Sequence, residues 1–391
     1  MSAGTARGNG IRVLLVRAIY AIALIGAVAW VALVLQAAAG SGTLGYDYRA
    51  YDLAVDRLIA GQPLYDPNAQ SMGDFGLFFY PPPFALLVAP IALLPGDTGV
   101  WVWTLLLLAA TVAAVAVMPI STRSRLAVLL LAALSWPVLY SIKLGQVGPI
   151  ILLLFAIGWR WMERPWVLGT SAALGAAIKI QPGLILGWTL LTGRVRATVV
   201  GLVVLAALAI AGAVAAGPQA WLDQAQLLQR VNEPILTPHT VGVGRLLYEA
   251  GASETVATIA SVANLAAVAA VTLFAILRAS AVASYLAVAV ASHFISPVLW
   301  EHYALVLLLP TALLIDRGRW WAALIPLATS TIPTMAEAAG TSALGLPLAI
   351  YPVAFWVALL AVTWEGVRER RIANTPLEDA PGHSLERMGA A

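Results

Sequence analysis

Apolar runs of membrane-crossing length recur from one end of this chain to the other, separated by small clusters of arginine. A hydrocarbon core of roughly 30 Å takes about 20 residues of helix to cross, and inside lipid every backbone N–H and C=O must be satisfied within the protein. Those two requirements leave a bundle of transmembrane helices as the fold. Composition agrees: 61% of the 391 residues are hydrophobic and only 10% are charged, far too apolar for a soluble chain to hide. The lipid bilayer is therefore the first partner. A net charge of +3 has a topological meaning here, so no nucleic acid partner is expected. The absence of cysteine excludes disulfides, thiolate nucleophiles and thiolate metal sites.

The arginines set the orientation. Arg7, Arg12 and Arg17 precede the first run, and Arg123, Arg125, Arg160, Arg164, Arg194, Arg196, Arg278, Arg317, Arg319, Arg368, Arg370, Arg371 and Arg387 fall between or after later ones. Placed together on the cytoplasmic side, they hold most of the 22 basic residues, while Asp47, Asp52, Asp56, Asp66, Asp74, Asp97, Asp223, Glu233, Glu249, Glu254, Glu301 and Glu337 fall on the other face. The spans then read 15–37, 98–118, 125–141, 147–160, 165–178, 182–193, 197–216, 255–277, 281–295, 302–315, 320–334 and 345–364. The first run, from about Ile19 to Leu35, is long for a signal peptide and reads as a retained helix. Both termini are expected in the cytoplasm of a multi-pass plasma-membrane protein.

Residues 1–371 thus read as one transmembrane domain, and 372–391 as a cytoplasmic, disordered tail. Two extracytoplasmic loops have real size, about 38–97 and 217–254. Within the first, Tyr51, Ala54, Val55, Leu58 and Ile59 recur at helical spacing between charged residues, predicting an interfacial helix over Tyr48 to Ile59. Pro83 to Leu94 is too short to cross and predicts a half-helix re-entering from the extracytoplasmic side.

Four stretches carry the chemistry. Asp47 stands where the first span leaves the membrane; partial desolvation there suits a general base, and the same position suits an N-cap for the helix at Tyr48. Phe78 to Phe84 reads F-F-Y-P-P-P-F, rings that either stack on a sugar or lipid or form an ordinary interfacial belt. Lys179 lies between two short spans, facing an anionic partner such as a lipid phosphate or snorkelling to the interface. His293, Glu301 and His302 cluster at an extracytoplasmic turn, where neighbours 301 and 302 point apart on a helix; a phosphate or sugar contact by one histidine fits better than a metal site. In the loop 217–254, His239 and Arg245, with Asn232 and Glu233, are candidates to bind a polar substrate.

In order along the chain these strings resemble the polyprenol-phosphate-mannose-dependent alpha-mannosyltransferases of actinobacteria, glycosyltransferase family 87 of the GT-C superfamily. The resemblance rests on Asp47 and Tyr51, on Gly61 to Tyr65, on Phe78 to Phe84 with one extra proline, and on Gly145 to Gly148, where glycine replaces the usual asparagine. It continues through Lys179 to Pro182 and Ser296 to His302. It implies an all-α GT-C bundle of about 10–12 spans and transfer of a sugar from a polyprenyl-phosphate donor to a glycolipid or polysaccharide acceptor, with no cofactor and no metal. It further implies Asp47 as catalytic base, Lys179 and His302 on the donor phosphate, and Tyr51, Tyr80, Gln146, Trp300 and Glu301 at the substrates. A decaprenyl-phosphoryl-arabinose donor is the nearest alternative; a lipid or sugar transporter, from a different class, lacks support from any internal repeat.

Overall fold

The computed structural model describes residues 3–374 apart from 67, 70–75, 232, 238–239 and 339–345. Its elements are α-helices and short 3-10 turns, with no strand among the described residues. The helices are α1 Ala3–Gly40, α2 Tyr48–Ile59, α3 Pro82–Ala92, α4 Thr98–Val117, α5 Thr122–Leu134, α6 Trp136–Leu144, α7 Gly148–Arg160, α8 Pro165–Ile178 and α9 Leu184–Leu191. They continue with α10 Val195–Ala216, α11 Gln219–Val231, α12 Val243–Glu249, α13 Glu254–Arg278, α14 Ala281–Phe294, α15 Leu308–Asp316, α16 Leu324–Ala338 and α17 Ile350–Asn374. The protein is an all-α, polytopic membrane bundle.

The helices fall into two populations. Five stretches among the described residues are long and apolar enough to cross alone: Ala18–Gly40, α4, α10, α13 and the last helix with the turn before it. α1, α10 and α13 present most of their apolar surface outward, as helices facing lipid must. The other expected crossings are short; α7, α8 and α14 have 13, 14 and 14 residues, and every residue of α14 from Ala283 to Phe294 is buried. A bundle of this kind carries a rim of full-length helices around shorter, protein-enclosed ones.

The span expected over 125–141 is broken. α5 and α6 meet at a 59° bend, because Pro137 sits in the first turn of α6 and Ser135 before it is extended. The orphaned N–H of Trp136 is satisfied by the Ser330 hydroxyl at 2.8 Å. The expected span over 302–315 likewise opens as a 3-10 stretch, Glu301–Leu307, before α15. At the C-terminus α17 runs to Asn374, past the residue 372 at which a tail was expected; the rest of that segment lies outside the described residues.

The interfacial helix forms over Tyr48–Ile59, with Tyr48, Ala50, Tyr51, Ala54 and Val55 buried. Leu58 is only half-buried and Ile59 is exposed, so the apolar face narrows toward its end. The half-helix forms as α3, 11 residues or about 16 Å at 1.5 Å per residue, too short to cross. Its proline tip nests against α10 at Gly212, where a Cβ would lie 2.8 Å from Pro83 Cδ.

Candidate active site

The site begins with the loop that follows α1. Gly45 N–H donates to Lys143 O at 2.8 Å and Asp47 N–H donates to Leu144 O at 2.7 Å, docking the loop on the end of α6. α6 can receive it because Gly145 caps that helix in the left-handed region, φ +78°, and leaves its last carbonyls free. A Cβ on Gly145 would fall 2.8 Å from Tyr48 Cβ. The Trp103 indole on α4 closes the junction by donating to Gly145 O at 2.7 Å.

Asp47 occupies the N-cap position of α2 but does not cap it: its backbone is helical and its side chain makes no capping hydrogen bond. The carboxylate instead accepts from Gln146 Nε2 through Oδ2. Burial pushes its pKa up to about 6, while the Gln146 hydrogen bond and the nearby Lys179 charge pull the other way. The side chain is partly exposed. A carboxylate so placed is ionised at neutral pH yet more basic than a free aspartate.

Behind it stands an aromatic wall. Phe78, Tyr80 and Phe84 are buried, so F-F-Y-P-P-P-F packs inside the bundle and is not a belt at its surface. Tyr51 lies 5.0 Å from both Tyr80 and Phe84, edge on, and 5.8 Å from Trp103. Such pairs add about 0.5–1.5 kcal/mol each beyond their buried area. The strand of chain before α3 is pinned from both sides: Gln224 of α11 donates to Phe79 O at 3.1 Å, and the Tyr65 hydroxyl donates to Tyr80 O at 2.7 Å. The Tyr51 hydroxyl donates to Tyr80 Oη at 2.9 Å, and Tyr80 donates to Gln146 Oε1 at 2.8 Å.

Lys179 ends α8 in extended conformation, because the 3-10 turn at Gln181–Gly183 with Pro182 stops the helix there. Its ammonium turns inward and rests 3.8 Å above the centre of the Tyr303 ring, a cation–π contact. It lies within electrostatic range of Asp47, His293 and His302. His302 is 5% exposed and neither ring nitrogen has a hydrogen-bond partner among the described residues. A buried imidazole with two idle nitrogens calls for a ligand or water to satisfy it. Its ring lies 4.9 Å from Tyr303 and stacks parallel to Trp300 at 6.5 Å.

Asp47, Tyr51, Tyr80, Gln146, Lys179 and His302 are thus brought into one neighbourhood, with Trp300 at its margin. Glu301, beside His302 in sequence, faces elsewhere: its Oε2 accepts from the Trp136 indole at 3.0 Å and from the Tyr351 hydroxyl at 3.3 Å. Arg245 is committed to Glu249 at 2.7 Å and to the carbonyls of Ile235 and Leu236 at 3.0 and 3.3 Å. His239 and Asn232 lie outside the described residues. Tyr303 was not singled out in the sequence; the one signal pointing to it was that an inward lysine needs an acceptor surface and that Tyr303 directly follows His302.

A carboxylate able to take a proton, faced by an ammonium and an unpartnered imidazole able to receive an anion, equips a membrane bundle to move a group off an anionic carrier. The protein is a membrane glycosyltransferase. It belongs to glycosyltransferase family 87, whose family model matches residues 78–299. Among curated proteins, the chain is 27% identical over 302 residues, 70% of each chain, to the polyprenol-phosphate-mannose-dependent alpha-(1-2)-phosphatidylinositol mannoside mannosyltransferase of Mycobacterium tuberculosis (strain ATCC 25618 / H37Rv). No solved structure matches it. Tyr80, Gln146 and Lys179 fall inside the matched stretch, Asp47 and Tyr51 before it, and His302 just beyond it.

Proposed function

We propose that the protein transfers a mannosyl unit from a polyprenyl-phosphate donor to a mannosylated glycolipid acceptor on the extracytoplasmic face, by a single inverting displacement. The observation that carries this reading is the pairing of Asp47, partly exposed and fixed by Gln146, with Lys179 across the same site. Asp47 takes the proton of the acceptor hydroxyl as its oxygen bonds to C1 of the beta-linked donor. The bond from C1 to phosphate oxygen breaks, and the polyprenyl phosphate leaves with the electron pair and one more negative charge. Lys179 and a donated N–H of His302 offset that charge, which counts most where bulk water is excluded. The relative's printed name supports mannose as the sugar and a phosphatidylinositol mannoside as the type of acceptor.

The orientation rests on the arginine bias: both termini in the cytoplasm, Asp47 outside, and residues 1–371 acting as one unit. The natural absence of cysteine makes this simple to test. Single cysteines at Arg57 and at Arg370 in intact cells should react with an impermeant maleimide at the first position and be protected at the second; the reverse pattern overturns the topology.

The activity is tested with purified protein, polyprenyl-phosphate mannose carrying a radiolabelled sugar, and phosphatidylinositol mannosides. Wild type should yield an alpha-mannosylated product, and Asp47→Asn should lose it. Full transfer by Asp47→Asn removes the proposed base.

A further inference from the structure

The hydroxyls of Tyr51 and Tyr80 and the amide of Gln146 form a chain in which each proton has only one place to go. An ionised carboxylate accepts and never donates, so the Gln146 group facing Asp47 Oδ2 is its NH2. Gln146 Oε1 then faces Tyr80, and the Tyr80 hydroxyl spends its single proton there, at 2.8 Å. Having donated, Tyr80 Oη accepts from Tyr51 at 2.9 Å. The Tyr51 oxygen in turn receives the backbone N–H of Val147, the residue next to Gln146. A flipped amide would set Oε1 against the carboxylate, acceptor against acceptor. Packing protects the order: Tyr51 is fully buried and Tyr80 nearly so.

We propose that Tyr51, Tyr80 and Gln146 are positioning residues: a one-directional hydrogen-bond relay that holds the Asp47 carboxylate by Oδ2 and leaves Oδ1 free for the incoming acceptor hydroxyl. This rests on the reading of Asp47 as base. It differs from a sugar-binding role for the same three side chains, since their polar atoms are directed at one another. The relay also feeds one charged hydrogen bond into a group that burial would otherwise make more basic still. The titratable groups facing Asp47 are Tyr51 on α2, Tyr80 before α3, Lys179 after α8 and Tyr303 in the 3-10 stretch. Of these, Lys179 is the one that pulls the Asp47 carboxyl back down.

Tyr80→Phe tests the relay, because it keeps the ring packed against Tyr51, Phe78 and Phe84 and removes the hydroxyl that orders Gln146 and receives Tyr51. The expected result is a fall in kcat of about 10–100-fold, the scale of a misplaced reacting group, with KM for donor and acceptor within about twofold. The acidic limb of the pH–rate profile should move upward as Asp47 loses an ordered donor. Tyr51→Phe, one link further away, should show the same pattern more weakly. Gln146→Glu, which sets a second carboxylate against the first, should move the limb furthest, and Gln146→Leu should lose kcat without moving KM. A rise in KM with kcat intact would overturn the proposal in favour of sugar contact. Unchanged kcat and an unmoved limb in Tyr80→Phe and Gln146→Leu, both folded by thermal unfolding, would overturn it as well. An inactive wild type would instead sink the proposed function; the relay then fails on its own terms if the pH at which Asp47 destabilises the fold is the same in wild type and Gln146→Leu.

Discussion

Two clusters of charge sit in this bundle and treat their carboxylates in opposite ways. Around Glu365 on α17 opposite charges are paired: Arg368 at 2.9 Å and Arg319 at 3.3 Å pair with it, while Arg317 at 2.9 Å and the Ser280 hydroxyl at 2.7 Å hold Glu369 one turn on. Roughly 20 Å back along α17 at 1.5 Å per residue, Tyr351 marks the opposite end of the bundle, where Glu301 and His302 lie. There Lys179 rests on an aromatic face, Asp47 is held by a neutral amide, and neither His302 nitrogen has a partner among the described residues. A matched cluster fastens helices, since Ser280 N–H also bonds Gly366 O at 2.9 Å and locks the start of α14 to α17. An unmatched one stores electrostatic potential that a substrate can use. The difference separates a clamp from a reactive site better than charge density does.

The largest expected effect comes from Asp47→Asn. Loss of a positioned base costs about 10²–10⁴-fold, so transfer should fall by about 10³-fold. Wild-type activity should rise with pH through about 6 and level off above it, because the base must be ionised. Stability should move the other way. A carboxyl raised from 3.8 to about 6 by folding contributes most below pH 4 and loses that contribution as pH climbs through 6. For a partly exposed group, a rise of that size corresponds to about 1–3 kcal/mol. Asp47→Asn should therefore unfold at higher temperature than wild type at pH 7.5, with the gain vanishing below pH 4. A variant that is inactive and also less stable at pH 7.5 would put Asp47 with Glu365 among the fasteners.

Lys179→Met comes next. It keeps length and packing on Tyr303 but withdraws the cation from the departing phosphate, worth about 10²–10³-fold in kcat/KM for the donor. Normal donor dependence would mean that the ammonium is satisfied by the Tyr303 ring alone.

How much of this was legible in the sequence follows the range of the forces involved. The helix over Tyr48–Ile59, the short α3 and the long apolar helices α4, α10 and α13 are local patterns of period and composition, and they stand where the sequence put them, whereas the spans expected over 125–141 and 302–315 are broken. Asp47 and Lys179 were visible as charges in places where charge is costly. Where the Asp47 side chain turns was not: it reads as a helix cap until Gln146, 99 residues away, is seen to take the carboxylate. Glu301 likewise seemed part of the site until Trp136 and Tyr351, 165 and 50 residues distant, claimed it. The bend at Ser135 was written in Trp136–Pro137, yet an unbroken apolar run masked it. That bend ends α6 at the site and so delivers Gly145 and Gln146 to Asp47.

Glu365→Gln probes the clamp. It removes the charge that pairs with two arginines, which are themselves partly exposed and can hydrate, so the cost should be about 1–2 kcal/mol, below that of stranding a fully buried ion. Thermal unfolding should drop by a few degrees, with kcat per folded molecule unchanged. A loss of transfer at full stability would show that the clamp and the site are coupled along α17.

The smallest effect is expected at Arg245, and it decides where the acceptor side of the site ends. As a substrate contact, Arg245 would leave donors free toward the cluster; instead its guanidinium joins Glu249 and the carbonyls of Ile235 and Leu236. That staple shapes the approach to Thr240 and Val241, which are tied to Leu299 at 2.9 and 2.7 Å just ahead of Trp300 and His302. Arg245→Ala should loosen this connection by about 1 kcal/mol, the worth of a modest hydrogen-bonded pair. Limited proteolysis near 233–242 should speed up, with kcat and the acceptor KM within about threefold of wild type. A tenfold rise in acceptor KM without faster proteolysis would move Arg245 from the clamp's side of the comparison to the site's, as a charge held ready for an anionic headgroup.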